Sequence, residues 1–254
     1  MSVAGRAVDT VPALLADVFR ADPSRPALTW LDTGSGARTE LSVATLANWV
    51  AKTGGLLQDE LDVAAGDRVL LSLPTHWLAV TWALGCWAVG AVVQPDDLST
   101  TAAPEVEVFG DDRSPRTTGR PVVVGLAPFG GPARGGDRSG GALDAGAEVL
   151  GHPDHLVPYE AALPTSAALL TASAILDQRS VLASARTVAE RIGLGSGDRL
   201  LTDASPVTAA GLVEVVLAPL VVTGSVVLLT GPHDASTVDR LAGSEQPDVV
   251  RVTP

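Results

Sequence analysis

Between Gly66 and Pro95 the chain reads GDRVLLSLPTHWLAVTWALGCWAVGAVVQP, and its polar positions fall at the punctuation. Gly66-Asp67-Arg68 is a charged turn. Val69 to Leu73 is a short apolar run stopped by Pro74-Thr75, and His76 to Gly90 is apolar on almost every side. Ala91-Val92-Val93 is a second β-branched run. Length and punctuation predict strand, buried helix and strand, hence a parallel pair joined by a right-handed crossover. Strands covered on both faces read as unbroken apolar runs. A membrane span needs about 20 uninterrupted apolar residues. Pro74, Thr75, His76, Gly85 and Gly90 interrupt this one, so no span is expected.

Elsewhere the periodicity alternates between helical and extended. Leu14, Leu15, Val18 and Phe19 share a helical face in 11–21, with Pro12 in the first turn. Residues 26–41 predict a hairpin turning at Gly34-Ser35-Gly36. Ser42 is placed to cap a helix over 43–58 that carries Leu46, Trp49, Val50, Thr53 and Leu57. Glu105 to Phe109 alternates like an exposed strand, and Val122 to Val124 reads as a buried one. The stretches 111–119 and 128–141 read as loops, and 142–150 as a short helix. Val181, Leu182, Ala185, Val188 and Ile192 make an amphipathic helix of 180–192. The chain then repeats itself: Gly197-Asp198-Arg199, a strand at 200–202, an apolar helix at 208–222 and a strand at 224–229. The two Gly-Asp-Arg turns lie 131 positions apart. A helix at 237–242 and a strand at 248–252 follow. The fold class expected is α/β, two lobes of parallel or mixed β-sheet flanked by helices. Residues 1–110 form the first lobe, 111–164 a poorly patterned linker region and 165–254 the second lobe.

Composition narrows the partners. A net charge of −12 over 254 residues argues against a nucleic-acid surface, which needs clustered Lys and Arg. The single cysteine, Cys86, excludes an internal disulfide and reads as a core residue. The first residues, MSVAGRAVDTVPALLADVF, lack the apolar core of a signal peptide, and a cytoplasmic location is expected. There is one lysine, Lys52, so any chemistry requiring a lysine uses it or goes without.

The order of phrases resembles the adenylate-forming superfamily of acyl-CoA synthetases and AMP-binding ligases. Asp22-Pro23-Ser24-Arg25-Pro26-Ala27-Leu28 matches that family's "D-x-P-x-x-P-A-L" phrase. Gly66 to Pro74 matches "G-D-R-V-x-L-x-L-P", and Gly90 to Pro95 matches "G-A-V-V-x-P". Leu194 to Gly231 is similar to its "L-G-x-G-D-R … L-A-P-L-x-x-G-x-x-V-V-L". The likeness covers about two thirds of the chain, in the manner of a truncated N-terminal domain. It implies an acid–thiol or AMP-forming ligase fold, with ATP or AMP and Mg²⁺ as the working cofactors.

The departures from the family lie in its charge-handling groups. Its phosphate loop, "T-S-G-T-T-G-x-P-K-G", uses glycine backbone N–H groups and a lysine to hold phosphate. The corresponding stretch here is Leu170-Thr171-Ala172-Ser173-Ala174-Ile175-Leu176-Asp177-Gln178-Arg179. Thr171 and Ser173 persist, the glycines and lysine do not, Asp177 would repel phosphate, and Arg179 restores only a charge. The aromatic-histidine phrase after the second Gly-Asp-Arg strand has become Ser205-Pro206-Val207-Thr208-Ala209-Ala210-Gly211. The adenine, ribose and C-terminal lysine motifs have no counterpart, and Lys52 lies in the wrong lobe to replace that lysine. The expectation is a non-catalytic remnant with no cofactor, acting as a binding, regulatory or self-associating protein, with a ligand cleft at Ser205, Thr208 and Gly211. A homodimer or other protein partner is expected through sheet surface that the missing half would cover. The alternative is a half-enzyme that binds ATP or AMP with Mg²⁺ and activates a carboxylic acid together with a second polypeptide.

Other constellations carry less. His152-Pro153-Asp154-His155 offers too few ligands for zinc and reads as a polar turn. Gly193 to Gly197 joins a helix to a strand, unlike a nucleophile elbow or dinucleotide loop. Trp77, Trp82 and Trp87, five apart, point three ways around one helix and serve packing. No defensible Ser-His-Asp order suggests a hydrolase.

Overall fold

The Gly66–Pro95 unit is built as its pattern requires. In a computed structural model describing residues 8–98, 100, 102–136 and 141–253, β3 (Arg68–Ser72) runs through α3 (Trp77–Ala88) to β4 (Val92–Gln94), parallel to β3. The opening residues 1–7, read above for a leader, and residues 137–140 of the 128–141 loop lie outside the described residues. Every residue of α3 is buried, the three tryptophans included, and the Trp87 indole N–H donates to the Ala168 carbonyl at 2.8 Å. Among the described residues no helix is long and apolar enough to cross a membrane.

The second Gly-Asp-Arg unit has the same topology. β10 (Arg199–Thr202) leads through α6 (Ala209–Gly211), a π-helical stretch (Leu212–Leu217) and α7 (Ala218–Val221) to β11 (Ser225–Thr230), parallel to β10. The likeness extends to single hydrogen bonds. Gly66 and Gly197 both take positive φ, +91° and +84°, which glycine adopts without a Cβ penalty. The Asp67 carboxylate accepts from Ala64 N at 2.8 Å, and that of Asp198 from Gly195 N at 2.7 Å. Arg68 N–H donates to the Glu105 carboxylate at 2.7 Å, and Arg199 N–H to that of Asp248 at 2.8 Å. Each of those acids opens a third parallel strand, β5 (Val106–Gly110) beside β3 and β12 (Val249–Arg251) beside β10. The π-helical stretch fits Pro219, which has no N–H to donate to an ordinary helical ladder.

The remaining elements knit the two units together. The hairpin β1 (Pro26–Asp32) and β2 (Arg38–Ser42) joins the second unit, giving a five-stranded sheet of order β12-β10-β11-β1-β2. β6 (Arg120–Val124), the short β7 (Leu143–Asp144) and the antiparallel pair β8 (Ala167–Leu170) and β9 (Ile175–Asp177) join the first. That gives a seven-stranded sheet of order β7-β6-β5-β3-β4-β8-β9. Each sheet thus takes strands from both the 1–110 and the 165–254 segments. Between the sheets one apolar core joins their inner faces to α1 (Val11–Ala21), α2 (Val43–Gly55), α3, α5 (Gln178–Ile192) and α7. On the outer face of the five-stranded sheet, α8 (Ala235–Glu245) places Leu241 over Leu31, Leu201, Val227 and Leu229.

Two expectations are corrected here. Residues 105–109 do not form an exposed strand. β5 lies in mid-sheet with all five residues buried, and Glu107 is 0% exposed. The nine-residue connection from β5 to its parallel neighbour β6 carries no helix; it folds back so that Arg116 N–H (2.9 Å), Thr117 N–H (2.7 Å) and the Thr117 hydroxyl (2.7 Å) all donate to the Glu107 carboxylate. A buried carboxylate is tolerable when its lone pairs are filled this way. Residues 142–150 are not one helix but β7, the single turn α4 (Ala145–Glu148) and a 3₁₀ turn (Val149–Gly151). Asp144 begins that turn by accepting Gly146 N–H at 3.1 Å.

Candidate functional site

The stretch aligned above with a phosphate loop is a hairpin, not a loop. Thr171 closes the β8–β9 turn on itself: its hydroxyl donates to the Ala174 carbonyl at 2.7 Å and accepts Ala174 N–H at 3.1 Å. Ser173 is exposed at the tip. Ile175 to Asp177 then pairs antiparallel with β8, which places the start of α5 at Gln178, two residues before the expected Ser180. Asp177 is the N-cap, and its carboxylate accepts Ser180 N–H at 2.7 Å. Those hydrogen bonds, from the Ser180 side chain and backbone, hold the Asp177 carboxyl below its ordinary range. The helix end, where free N–H groups and the dipole would attract phosphate, is therefore served by a carboxylate of the chain itself. Arg179, the one cation of the stretch, is turned to Asp9 at 3.2 Å.

Gln178 ties this helix start to the N-terminal helix. Its side-chain carbonyl accepts Val11 N–H at 2.9 Å inside the core. Nothing in the sequence pattern marks that contact, because the two residues stand 167 positions apart.

Ser205, Thr208 and Gly211 form one tight structure at the carboxyl end of β10. The Ser205 carbonyl accepts the Thr208 hydroxyl at 3.1 Å, and the Thr208 oxygen accepts Gly211 N–H at 3.0 Å as the N-cap of α6. A Cβ on Gly211 would stand 1.8 Å from the Ser205 carbonyl oxygen, so only glycine fits. Asp97 accepts Ala209 N–H at 3.0 Å, and Asp96 N–H donates to the Val207 carbonyl at 2.8 Å. These two aspartates follow β4, the strand beside β8. The Thr171 turn and the Ser205–Gly211 turn thus sit at the same end of the fold, and the Asp96–Asp97 turn contacts the latter. Arg116 pairs with Asp96. Thr208, Asp96 and Asp97 are engaged within this region, and Asp96, Asp97 and Asp177 add negative charge.

The other sequence candidates are structural. Cys86 is fully buried, and burial pushes its thiol far up, away from nucleophilic use. Lys52 makes an ion pair with Asp154 at 2.9 Å and donates to the His152 carbonyl, pinning the 152–154 segment on α2. His152 lies 3.7 Å from Asp59. Gly193, in the left-handed conformation at +74°, ends α5 before β10, so the Gly193–Gly197 run does join helix to strand.

A sequence model of AMP-binding enzymes matches residues 15–115. A Mycobacterium tuberculosis protein described as a "TIGR03089 family protein" is 36% identical over 235 residues, covering 91% of this chain and 93% of its own. Among solved structures, a Brucella canis acyl-CoA synthetase superposes with a TM-score of 0.72 at 21% identity over 96% of this chain and 47% of that one. A Mycobacterium tuberculosis fatty acyl-CoA synthetase superposes with a TM-score of 0.66 at 16% identity over 94% and 48%. The chain spans about half the length of these two synthetases. It belongs to the family of the mycobacterial relative, and its fold is the N-terminal fold of the adenylate-forming enzymes.

Proposed function

We propose that this chain is a binding, regulatory or self-associating protein with no ligase activity of its own. One observation carries the reading: the Asp177 carboxylate occupies the N-terminus of α5, with Ser180 N–H engaged at 2.7 Å and Arg179 drawn off to Asp9. A triphosphate brought to that helix end would meet a fixed negative charge in place of free donors. No nucleotide cofactor is called for. The region of Ser205, Thr208 and Gly211 remains the place where an acyl or nucleotide-like ligand would lie against the chain.

Isothermal titration of the full chain with ATP and Mg²⁺, followed by pyrophosphate release with mixed carboxylic acids, tests the proposal. No heat of binding and no pyrophosphate are expected. Saturable ATP binding would refute the reading and restore the half-enzyme, which works with a second polypeptide. Self-association is tested by sedimentation over a range of concentrations. A homodimer is expected, with the exposed edge strands β9 and β12, which carry the exposed Ile175 and Val250, as its candidate contact. A monomer at every concentration would remove that part.

A further inference from the structure

A recess of about 270 Å³ lies between β2, α2, the start of α3 and the loop after β6, far in sequence from the phosphate-loop stretch. Trp49 and Trp77 form its aromatic wall, edge to face with ring centroids 5.0 Å apart. Phe129 stands at its rim, 81% exposed. That exposure is imposed by the fold. The carbonyl of Pro128, just before it, is gripped by the Thr39 hydroxyl at 2.5 Å and the Trp77 indole N–H at 2.9 Å. An aromatic ring is thus held in water beside two others.

The polar groups of the recess discriminate between ligands. Two of the wall donors, the Thr39 hydroxyl and the Trp77 indole N–H, are spent on Pro128. The Thr45 hydroxyl is paired with Ser42 at 3.1 Å. Arg38 is held between Glu40 at 2.7 Å and Glu245 at 3.1 Å, and Glu245 also pairs with Arg199 at 2.7 Å, so the two arginines and two carboxylates balance. Glu40 receives Arg38 and the Thr29 hydroxyl on one oxygen, Oε2, which leaves Oε1 unpartnered on a side chain 38% exposed. The wall thus offers π-faces and one spare carboxylate oxygen, in a chain of net charge −12. Cations over aromatic faces are attracted by the ring quadrupole, and quaternary ammonium groups are the ligands such walls suit.

We propose that this recess is a binding site for a small organic cation of the quaternary-ammonium class, seated between Trp49 and Phe129 with Glu40 as its counter-charge. The site stands whether or not the chain binds nucleotide.

The test is a titration of the full chain with choline chloride, read by tryptophan fluorescence and referred to sodium chloride at equal ionic strength. Trp49 is the reporter: it is half-buried, whereas the other four tryptophans are 5% exposed or less. The neutral isostere 3,3-dimethyl-1-butanol separates cation recognition from filling of an apolar hole. Choline is expected to give a saturable change and the isostere a response at least about tenfold weaker. Phe129→Ala, on the surface and without effect on the melting temperature, and Glu40→Gln should each weaken choline binding about three- to tenfold. Choline indistinguishable from sodium chloride, equal binding of the isostere, or an unchanged Kd in Phe129→Ala would each overturn the proposal.

Discussion

His76 couples the fold to pH. It is the N-cap of α3: its Nδ1 accepts Leu78 N–H at 3.2 Å, so the proton of the neutral ring lies on Nε2. The ring is 2% exposed and packs against Trp30 and Trp77 with centroids 4.3 and 5.6 Å away. Protonation would consume the acceptor that caps the helix and bury a charge among indoles. Burial accordingly lowers the His76 pKa from 6.5 to about 4, against an opposing pull from Asp111 and Asp32. The sign follows from linkage. Between those two values the unfolded chain binds a proton that the folded chain refuses, so stability falls as pH falls, and above 6.5 His76 has no effect. The whole displacement is worth about 3 kcal/mol, of which about 2 kcal/mol is lost between pH 7.5 and pH 5. Urea unfolding followed by tryptophan fluorescence at those two pH values measures it. His76→Asn keeps a side-chain oxygen to cap α3 but cannot titrate. The variant should be less stable at pH 7.5 yet lose about 2 kcal/mol less than the parent on acidification. Equal losses in the two proteins would refute the reasoning, since the pH dependence would then belong to other groups.

Three substitutions test the packing and hydrogen bonding of two turns. Gly211→Ala, with its new Cβ 1.8 Å from the Ser205 carbonyl oxygen, should cost about 3 kcal/mol or more or prevent folding. Gly243→Ala in α8, with nothing within 4 Å, should gain about 0.5–1 kcal/mol; thermal melts of the pair test the packing of the 205–211 turn. Glu107→Ala strips the acceptor from Arg116 N–H, Thr117 N–H and the Thr117 hydroxyl, and should cost about 3 kcal/mol. Trypsin should then cut after Arg113 or Arg116 in the freed crossover, and a tryptic pattern identical to the parent's would count against this role.

The elements whose signals are local were legible in the sequence. Ser42, read as a cap from the sequence, accepts Thr45 N–H three residues on; Thr10 and Asp234 cap their helices in the same way but were not marked by the pattern. The two Gly-Asp-Arg turns were visible as a repeat, because the positive φ of Gly66 and Gly197 and the short-range Asp67 and Asp198 hydrogen bonds demand the same residues in the same order. Asp177 was seen only as a charge in a loop. Its role as a cap emerges once Ile175 and Leu176 pair with β8 and fix where α5 begins.

What the amino-acid order determined by itself was most of the succession of strands and helices and the repeat, though not the elements at 142–151 or the 167–177 hairpin, since the former depend on periodicity and on contacts a few residues long. Tertiary structure alone decided that the 26–42 hairpin would join the sheet of the second unit, with Leu28 beside Val226. It also decided that the 167–177 hairpin would join the first, with Leu169 beside Val93. The burial of Glu107 in mid-sheet, the depressed proton affinity of His76 and the rigid exposure of Phe129 belong to the same class. Burial and electrostatic environment are set by whichever distant segments arrive to exclude water, and no local pattern records which ones will.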